Sequence, residues 1–254
     1  MGRLEGLAGG LRQLPGLGLN ALLPPRCLAC AGSVDRAGVL CASCWGAISF
    51  ITPPHCACCG TPFEYDPGPD ALCSACLREA PPFDRARAVM AYDEASKGLV
   101  ISLKHRDRTE AAPAYGDWLA RGAAELVPEV DLVAPVPLHW IRLFQRRYNQ
   151  SALLAAALAR RIERPLVPDL LVRRRNTPPQ GRLSPAARRR NVAGAFKIHP
   201  ARESALRDRR VLLVDDVLTT GATAAACAKV LRRAGAAGVD VLVLARVLRP
   251  QRPE

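Results

Sequence analysis

Val211–Thr223, VLLVDDVLTTGAT, decides how the rest of the chain is read. It opens with Val211–Val214, an aliphatic run too short for a helix and of the length of a strand buried on both faces of a parallel sheet. Two carboxylates, Asp215 and Asp216, follow at once, and then the hydroxyl-rich turn Thr219-Thr220-Gly221-Ala222-Thr223. The next segment, AAACAKVLRRAGAAG over Ala224–Gly238, predicts a helix with Leu231 in its last turns and Gly235 or Gly238 as its stop.

A turn that leads into a helix N-terminus presents free backbone N–H groups and the positive end of the helix dipole to an anion. Thr219, Thr220 and Thr223 add hydroxyl donors, and Gly221 allows close backbone approach. An acidic pair beside such a cradle repels a bare polyphosphate. It suits a sugar phosphate, with the carboxylates accepting from vicinal ribose hydroxyls while the turn holds the 5′-phosphate. A pyrophosphate on the same sugar then requires Mg²⁺ to moderate the repulsion. Other phosphate motifs do not match: the turn has no lysine for a P-loop, and the dinucleotide fingerprint G-x-G-x-x-G is absent. A receiver domain starts with a similar strand but needs a domain's length after it, and 38 residues follow Asp216 (254 − 216). The plain alternative is a strand, turn and helix with no ligand.

VLLVDDVLTTGAT resembles the PRPP-binding motif of type I phosphoribosyltransferases, with no departure from it. The whole chain resembles the ComF family of competence-associated proteins, which join an N-terminal double zinc ribbon to such a domain. The resemblance implies an α/β type I phosphoribosyltransferase fold, doubly wound on a mainly parallel sheet. It implies ribose binding by Asp215 and Asp216, and 5′-phosphate binding by Thr219, Thr220, Gly221, Ala222 and Thr223. The domain boundaries expected are 1–25 for an N-terminal amphipathic segment, 26–80 for the double zinc ribbon and 83–250 for the phosphoribosyltransferase domain.

The formal charge of +13 is unevenly placed. Residues 1–90 hold seven Arg and seven acids, so the excess lies in 91–254 and favours anionic partners, phosphate ligands or nucleic acid alike. The leucine-rich opening is interrupted by Arg3, Glu5, Arg12 and Pro15, and it has neither a membrane-length apolar span nor an A-x-A cleavage site. Leu4, Leu7, Leu11 and Leu14 share one helical face, suited to packing on the zinc domain or on a partner, with surface membrane attachment as the alternative. A cytoplasmic protein is expected.

Nine of the ten cysteines lie between residues 27 and 76, as Cys27-x2-Cys30, Cys41-x2-Cys44, Cys56-x2-Cys59 and Cys73-x2-Cys76, plus Cys58. Paired thiolates at this spacing face one centre, and four complete a tetrahedral Zn²⁺ site with no open coordination position. A disulfide framework is the alternative, without a secretory signal to support it. Sequential pairing gives 27/30/41/44 and 56/59/73/76; interleaved pairing and a frame using Cys58 stay open. His55 adjoins a pair as an alternate ligand, and the prolines between the knuckles are loop material.

Beyond the ribbons, Ser96 is expected to cap a helix running through Gly98–Lys104, and a second helix is expected over Ala114–Leu126. The family usually has LKYRG where this chain has LKHRD, Leu103–Asp107. Asp131–His139 reads as a strand ending in a proline-stiffened loop. The resemblance gives that loop, with Pro137, Leu138 and His139, the pyrophosphate of PRPP. Arg142, Arg146, Arg147, Tyr148, Asn149 and Gln150 precede an alanine-rich helix over Ser151–Ile162, and the family commonly has a glycine where Arg147 stands. Arg173–Asn191 holds seven arginines and no acid, and its Pro and Gly content predicts a long loop. In type I phosphoribosyltransferases a flexible loop in this place closes over the reaction centre, which excludes water. Arg188, Arg189 and Arg190 are candidates there, and Lys104 and Arg146 are further candidates for neutralising pyrophosphate. Cys227 reads as a packed residue.

The expected function is PRPP binding with phosphoribosyl transfer to an acceptor that the sequence does not name, linked to DNA uptake, competence or nucleotide salvage. Two structural Zn²⁺ and a PRPP-bound Mg²⁺ are the expected cofactors. The alternative is a non-catalytic, PRPP-regulated protein that binds single-stranded DNA. Single-stranded DNA and proteins of DNA uptake or processing are the candidate partners, with no transmembrane segment.

Overall fold

The computed structural model describes residues 24–105, 111–178 and 183–248, without the side chains of Lys104 and His105. The leucine face of the first 14 residues, the turn at 106–108 and part of the arginine-rich segment lie outside them. The chain divides into two compact units between Ala47 and Ile48, so the two four-cysteine groups fall in different units. No helix among the described residues is long and apolar enough to cross a membrane.

The first unit is built on Cys27-x2-Cys30. Ala31 N donates to Cys27 O, Cys27 N donates to Gly32 O, and Arg26 bridges Ser33 in an antiparallel pair. Helix α1 (Ala42–Ala47) starts straight after Cys41. Among the described residues of this unit only Leu28, Leu40 and Cys27 are buried, little apolar surface beside the four thiols.

The second unit opens with the same knuckle pattern around Cys56 and Cys59 and the short helix α2 (Ser74–Arg78). The order then runs β1 (Arg85–Ala91), α3 (Glu94–His105), α4 (Ala112–Gly122), β2 (Leu132–Pro135), α5 (Trp140–Arg146) and α6 (Gln150–Arg161). It continues with β3 (Leu171–Arg173), α7 (Pro185–Val192), β4 (Phe196–Ile198), α8 (Glu203–Leu206), β5 (Arg210–Leu218), α9 (Ala222–Arg233) and β6 (Gly238–Arg246). Strands β1, β6, β5 and β2 form one parallel sheet in that order, with β5 inside it between β6 and β2. This position explains the composition of Val211–Val214: all four residues are fully buried, because helices cover both faces of a parallel sheet. Strands β3 and β4 make a separate antiparallel pair.

The fold matches the α/β expectation, and several local readings are corrected. β5 does not stop at Val214; it carries both acids within the strand and ends at Leu218. Helix α9 starts at Ala222, earlier than Ala224. It ends in a Schellman turn, with Gly235 (φ 95°) in the left-handed region, Ala236 N donating to Leu231 O and Gly235 N to Arg232 O. Its buried face is Ala224, Cys227, Ala228 and Leu231, the i, i+3, i+4, i+7 stripe of an amphipathic helix. Asp93, not Ser96, heads α3: Ser96 N donates to Asp93 Oδ1 (3.0 Å) and Asp93 N to Ser96 Oγ (2.9 Å), a reciprocal capping box. The arginine-rich segment is not loop throughout. Pro185 takes the first position of α7, where its missing N–H costs nothing, and Ser184 Oγ accepts from Ala187 N. Helix α4 ends at Gly122, short of Leu126, and α5 was not foreseen.

Arg147 ends α5 at φ 65°, in the left-handed region that favours glycine. A side chain in this region costs about 1–2 kcal/mol, part of which glycine returns through its freedom in the unfolded chain. Arg147→Gly should therefore stabilise the protein by about 1 kcal/mol in urea denaturation. An unchanged or lower midpoint would show that the Arg147 side chain compensates its own backbone.

Candidate functional site

β5 delivers Asp215 and Asp216 to the carboxyl edge of the parallel sheet, the edge at which open α/β sheets bind ligands. Successive strand residues point to opposite faces, yet both acids are met by one element, the N-terminus of α6. Ser151 Oγ donates to Asp215 Oδ1 at 2.8 Å, and Gln150 Nε2 donates to Asp216 Oδ2 at 3.3 Å. Asp216 N also donates to Asp215 Oδ1, and Asp216 is 5% exposed. Asn149 caps this helix: its Oδ1 accepts from Ser151 N, while its Nδ2 donates to Val136 O in the loop after β2. The acids thus sit at the positive end of a helix, and neutral hydroxyl and amide donors satisfy them.

After Leu218 the chain turns through Thr219 and Thr220 into Gly221 (φ 75°), which precedes α9. An added Cβ on Gly221 meets only Phe83 Cε1 at 4.0 Å, so the glycine is there for its conformation rather than for lack of space. Among the described residues, the N–H groups of Thr219, Thr220 and Gly221 donate to no protein acceptor, and Thr220 Oγ1 accepts from Ala222 N at 3.4 Å. Three such N–H groups directly before a twelve-residue helix, on the same strand–turn–helix unit as the acids, are the elements from which an anion site can be built.

The other candidates are more scattered. Pro137 and His139 are buried; His139 Nδ1 accepts from Ile141 N as the cap of α5. Leu138 is half-buried. Arg146 reaches the acidic pair through one intermediary, donating to Gln150 Oε1 at 3.3 Å. The segment of Lys104 lies beside this turn, because Tyr148 Oη donates to Leu103 O at 2.7 Å. Arg188, Arg189 and Arg190 lie on α7, with Arg188 Nε bonded to Leu183 O and the other two exposed. Cys227 is fully buried, and burial pushes its thiol pKa well up.

The sulfurs of Cys27, Cys30, Cys41 and Cys44 lie within 4.8 Å of one another, and so do those of Cys56, Cys59, Cys73 and Cys76. This is the sequential pairing, with Cys58 outside the set. A tetrahedron with Zn–S arms of about 2.3 Å has edges of about 3.8 Å. Cys30 and Cys41 stand 3.8 Å apart, Cys59 and Cys73 3.6 Å. The donors therefore fit zinc, whose part here is structural. Burial raises the Cys27 thiol, but N–H groups of Cys30, Cys41 and Ala29 outweigh it and bring it to about 6. Hydrogen bonding with Cys41 and burial push Cys44 up to about 12, because four thiolates cannot share one centre without a cation. At the second cluster burial is outweighed by the Arg246 guanidinium and the Thr61 hydroxyl, which hold Cys59 at about 7. His55 is not a ligand and faces Glu125 at 3.7 Å.

Sequence reasoning missed how the second ribbon joins the sheet. Arg246, at the end of β6, donates to Cys59 O and to Thr61 Oγ1 (2.6 Å), and Arg87 on β1 donates to Ala57 O. Ala86 N donates to Cys58 O, and a Cβ on Gly60 (φ 68°) would stand 2.3 Å from Ala86 O. Ribbon and sheet are therefore in backbone contact. The roles of Gln150 and Ser151 were also missed, although Asn-Gln-Ser at a helix start marks a cap whose next residues face whatever the helix points at.

A double zinc ribbon domain family matches residues 18–77, and a phosphoribosyl transferase domain family matches residues 149–254. Competence protein F of Haemophilus influenzae is 33% identical over 230 residues, covering 87% of this chain and 96% of the relative. The chain belongs to the ComF family. DNA utilization protein YhgH of Escherichia coli K12 is 36% identical over 200 residues, 76% of this chain and 84% of that protein. Solved structures resemble it more loosely. Glutamine phosphoribosylpyrophosphate amidotransferase from B. subtilis, complexed with ADP and GMP, has a TM-score of 0.40 at 22% identity, covering 57% of this chain and 30% of that one. This ComF protein thus joins two four-cysteine, zinc-compatible clusters to a phosphoribosyltransferase-type domain.

Proposed function

We propose that this ComF protein binds Mg·PRPP at the acidic pair and the threonine turn and transfers its phosphoribosyl group to an acceptor. The observation that carries the reading is the placement of Asp215 and Asp216 directly beside the unpaired N–H groups of Thr219–Gly221. Asp215 already accepts from the Ser151 hydroxyl and Asp216 from the Gln150 amide, so both are held as acceptors, the role that the two hydroxyls of a vicinal diol require. In the transfer the bond from C1 of the ribose to pyrophosphate breaks and the acceptor's lone pair bonds C1. Arg146 and Lys104 are the candidates for the pyrophosphate charge, and a PRPP-bound Mg²⁺ would neutralise part of the rest. The loop after β3 and the arginines of α7 serve as the closing lid. The names of the relatives, Competence protein F and DNA utilization protein YhgH, support a setting in competence and DNA utilization. Labelled pyrophosphate should exchange into PRPP when an accepted base is present. Tight PRPP binding without exchange across a panel of neutral and anionic acceptors, bases included, would remove the transferase step.

A second reading, PRPP-regulated binding of single-stranded DNA, is favoured by a separate observation. Trp140 (70% exposed) and Phe144 (86% exposed) stand one turn apart on α5, with Arg147 exposed at its end. Exposed aromatics among arginines stack bases and track the phosphate backbone. The loop after β3 joins this helix to α7, since Arg142 donates to Thr177 O and Asn191 Nδ2 to Pro178 O. If the arginines of α7 bind DNA, affinity should fall with salt at a slope of about −0.7 per neutralised phosphate on a logarithmic plot. Replacing Arg188, Arg189 and Arg190 should flatten that slope by about two units. Trp140→Ala should weaken binding through lost stacking, of about 1–3 kcal/mol, with the slope unchanged. A slope untouched by the triple substitution would place the phosphate contacts elsewhere.

A further inference from the structure

Arg173, at the end of β3, is 7% exposed, and among the described residues none of its hydrogen bonds is to an anion. Its Nη2 donates to Thr177 Oγ1, its guanidinium lies 5.4 Å from the centre of the Phe196 ring, and its Nε has no partner. Among the described residues no carboxylate pairs with it. A second guanidinium comes to the same residue, because Arg142 of α5 donates to the Thr177 carbonyl. Thr177, 4% exposed, is clasped between two cations. Burial and then mutual repulsion depress the Arg173 pKa, with Asp215 near enough to offset part of it. Removing a charge from water without a partner costs several kcal/mol, so an unpaired buried guanidinium beside a ligand site calls for an anion.

We propose that Arg173 and Arg142, held between α5 and the β3–β4 pair that packs on α9, form a subsite for an oxyanion carried by the acceptor, which is therefore an anionic molecule rather than a neutral base. The planar fork of Arg173 is suited to two parallel bonds with a carboxylate or phosphate, and the oxyanion takes the place of the Thr177 hydroxyl on Nη2. Half-buried Arg142 forms the open side. The inference rests on the PRPP reading of the acidic pair and names the class of the second substrate.

The test uses the full zinc-loaded chain saturated with Mg·PRPP, so that the threonine turn is already filled. Binding of benzoate and of phenyl phosphate is compared with neutral benzamide by calorimetry. The wild type should prefer at least one anion over benzamide by tenfold or more, and the favoured arm tells carboxylate from phosphate. Arg173→Met should abolish that preference while Mg·PRPP affinity stays within about twofold, which also shows that the fold survives. Should Arg173→Met fail to fold, Arg142→Met, on the open side, should reduce the preference at least threefold. No preference in the wild type, or one that persists in the folded variants, overturns the subsite while PRPP binding stands. A wild type that fails to bind Mg·PRPP overturns the reading beneath it.

Discussion

Replacing Asp215 and Asp216 together with Asn should weaken Mg·PRPP binding at least tenfold while the fold survives. Each Asn keeps the size of the side chain and a carbonyl oxygen, so Ser151 and Gln150 retain an acceptor. Lost is the charge assistance of each bond to a ribose hydroxyl, the difference of about 1–1.5 kcal/mol between a charged and a neutral acceptor, so the two bonds together exceed tenfold. Thr220→Val should also weaken binding by removing a hydroxyl from the phosphate turn. Inorganic phosphate depends on the threonine turn alone, through its N–H groups and hydroxyls, so its affinity should hold in the Asn variant or rise with the loss of negative charge. Calorimetry with both ligands reads the contrast. Wild-type PRPP affinity in the double variant would mean that the carboxylates do not read ribose, and the sugar-phosphate assignment would fail.

Removing one ligand from either cysteine cluster should cost one zinc per chain, but the two losses should differ in reach. A structural zinc contributes roughly 10–16 kcal/mol of apparent binding free energy. Cys76→Ser should lower the melting temperature of the second unit as a whole, because its ribbon shares backbone bonds with β1 and its Cys59 carbonyl with Arg246 of β6. Cys44→Ser lies in the first unit and should leave the transition of the second unit, and PRPP binding with it, in place. Elemental analysis should find about two zinc per wild-type chain and one in each variant. No zinc, with thiol counts showing disulfides, would overturn the metal assignment. Equal melting losses in both variants would overturn the asymmetry.

What the amino-acid sequence by itself determined about this ComF protein is its short-range chemistry. The aliphatic run of β5, the acids after it, the glycine turn and the stripe of α9 are legible because strand, turn and helix are each set by residues a few positions apart. The paired cysteines are legible for the same reason, and so is a buried parallel strand feeding a helix, whereas the doubly wound phosphoribosyltransferase fold was what the family resemblance implied. Boundaries were less legible. Asp93 and Ser96 compete for one cap, and Pro185 breaks a helix or begins one according to what precedes it. Only the tertiary structure decided which donors meet the acids, that Cys59 and not Cys58 joins the second cluster, and that Arg173 is buried without a partner. The physical reason is distance along the chain. Ser151 and Asp215 are 64 positions apart and Arg246 and Thr61 are 185, so these contacts exist only after the sheet has brought its strand ends together.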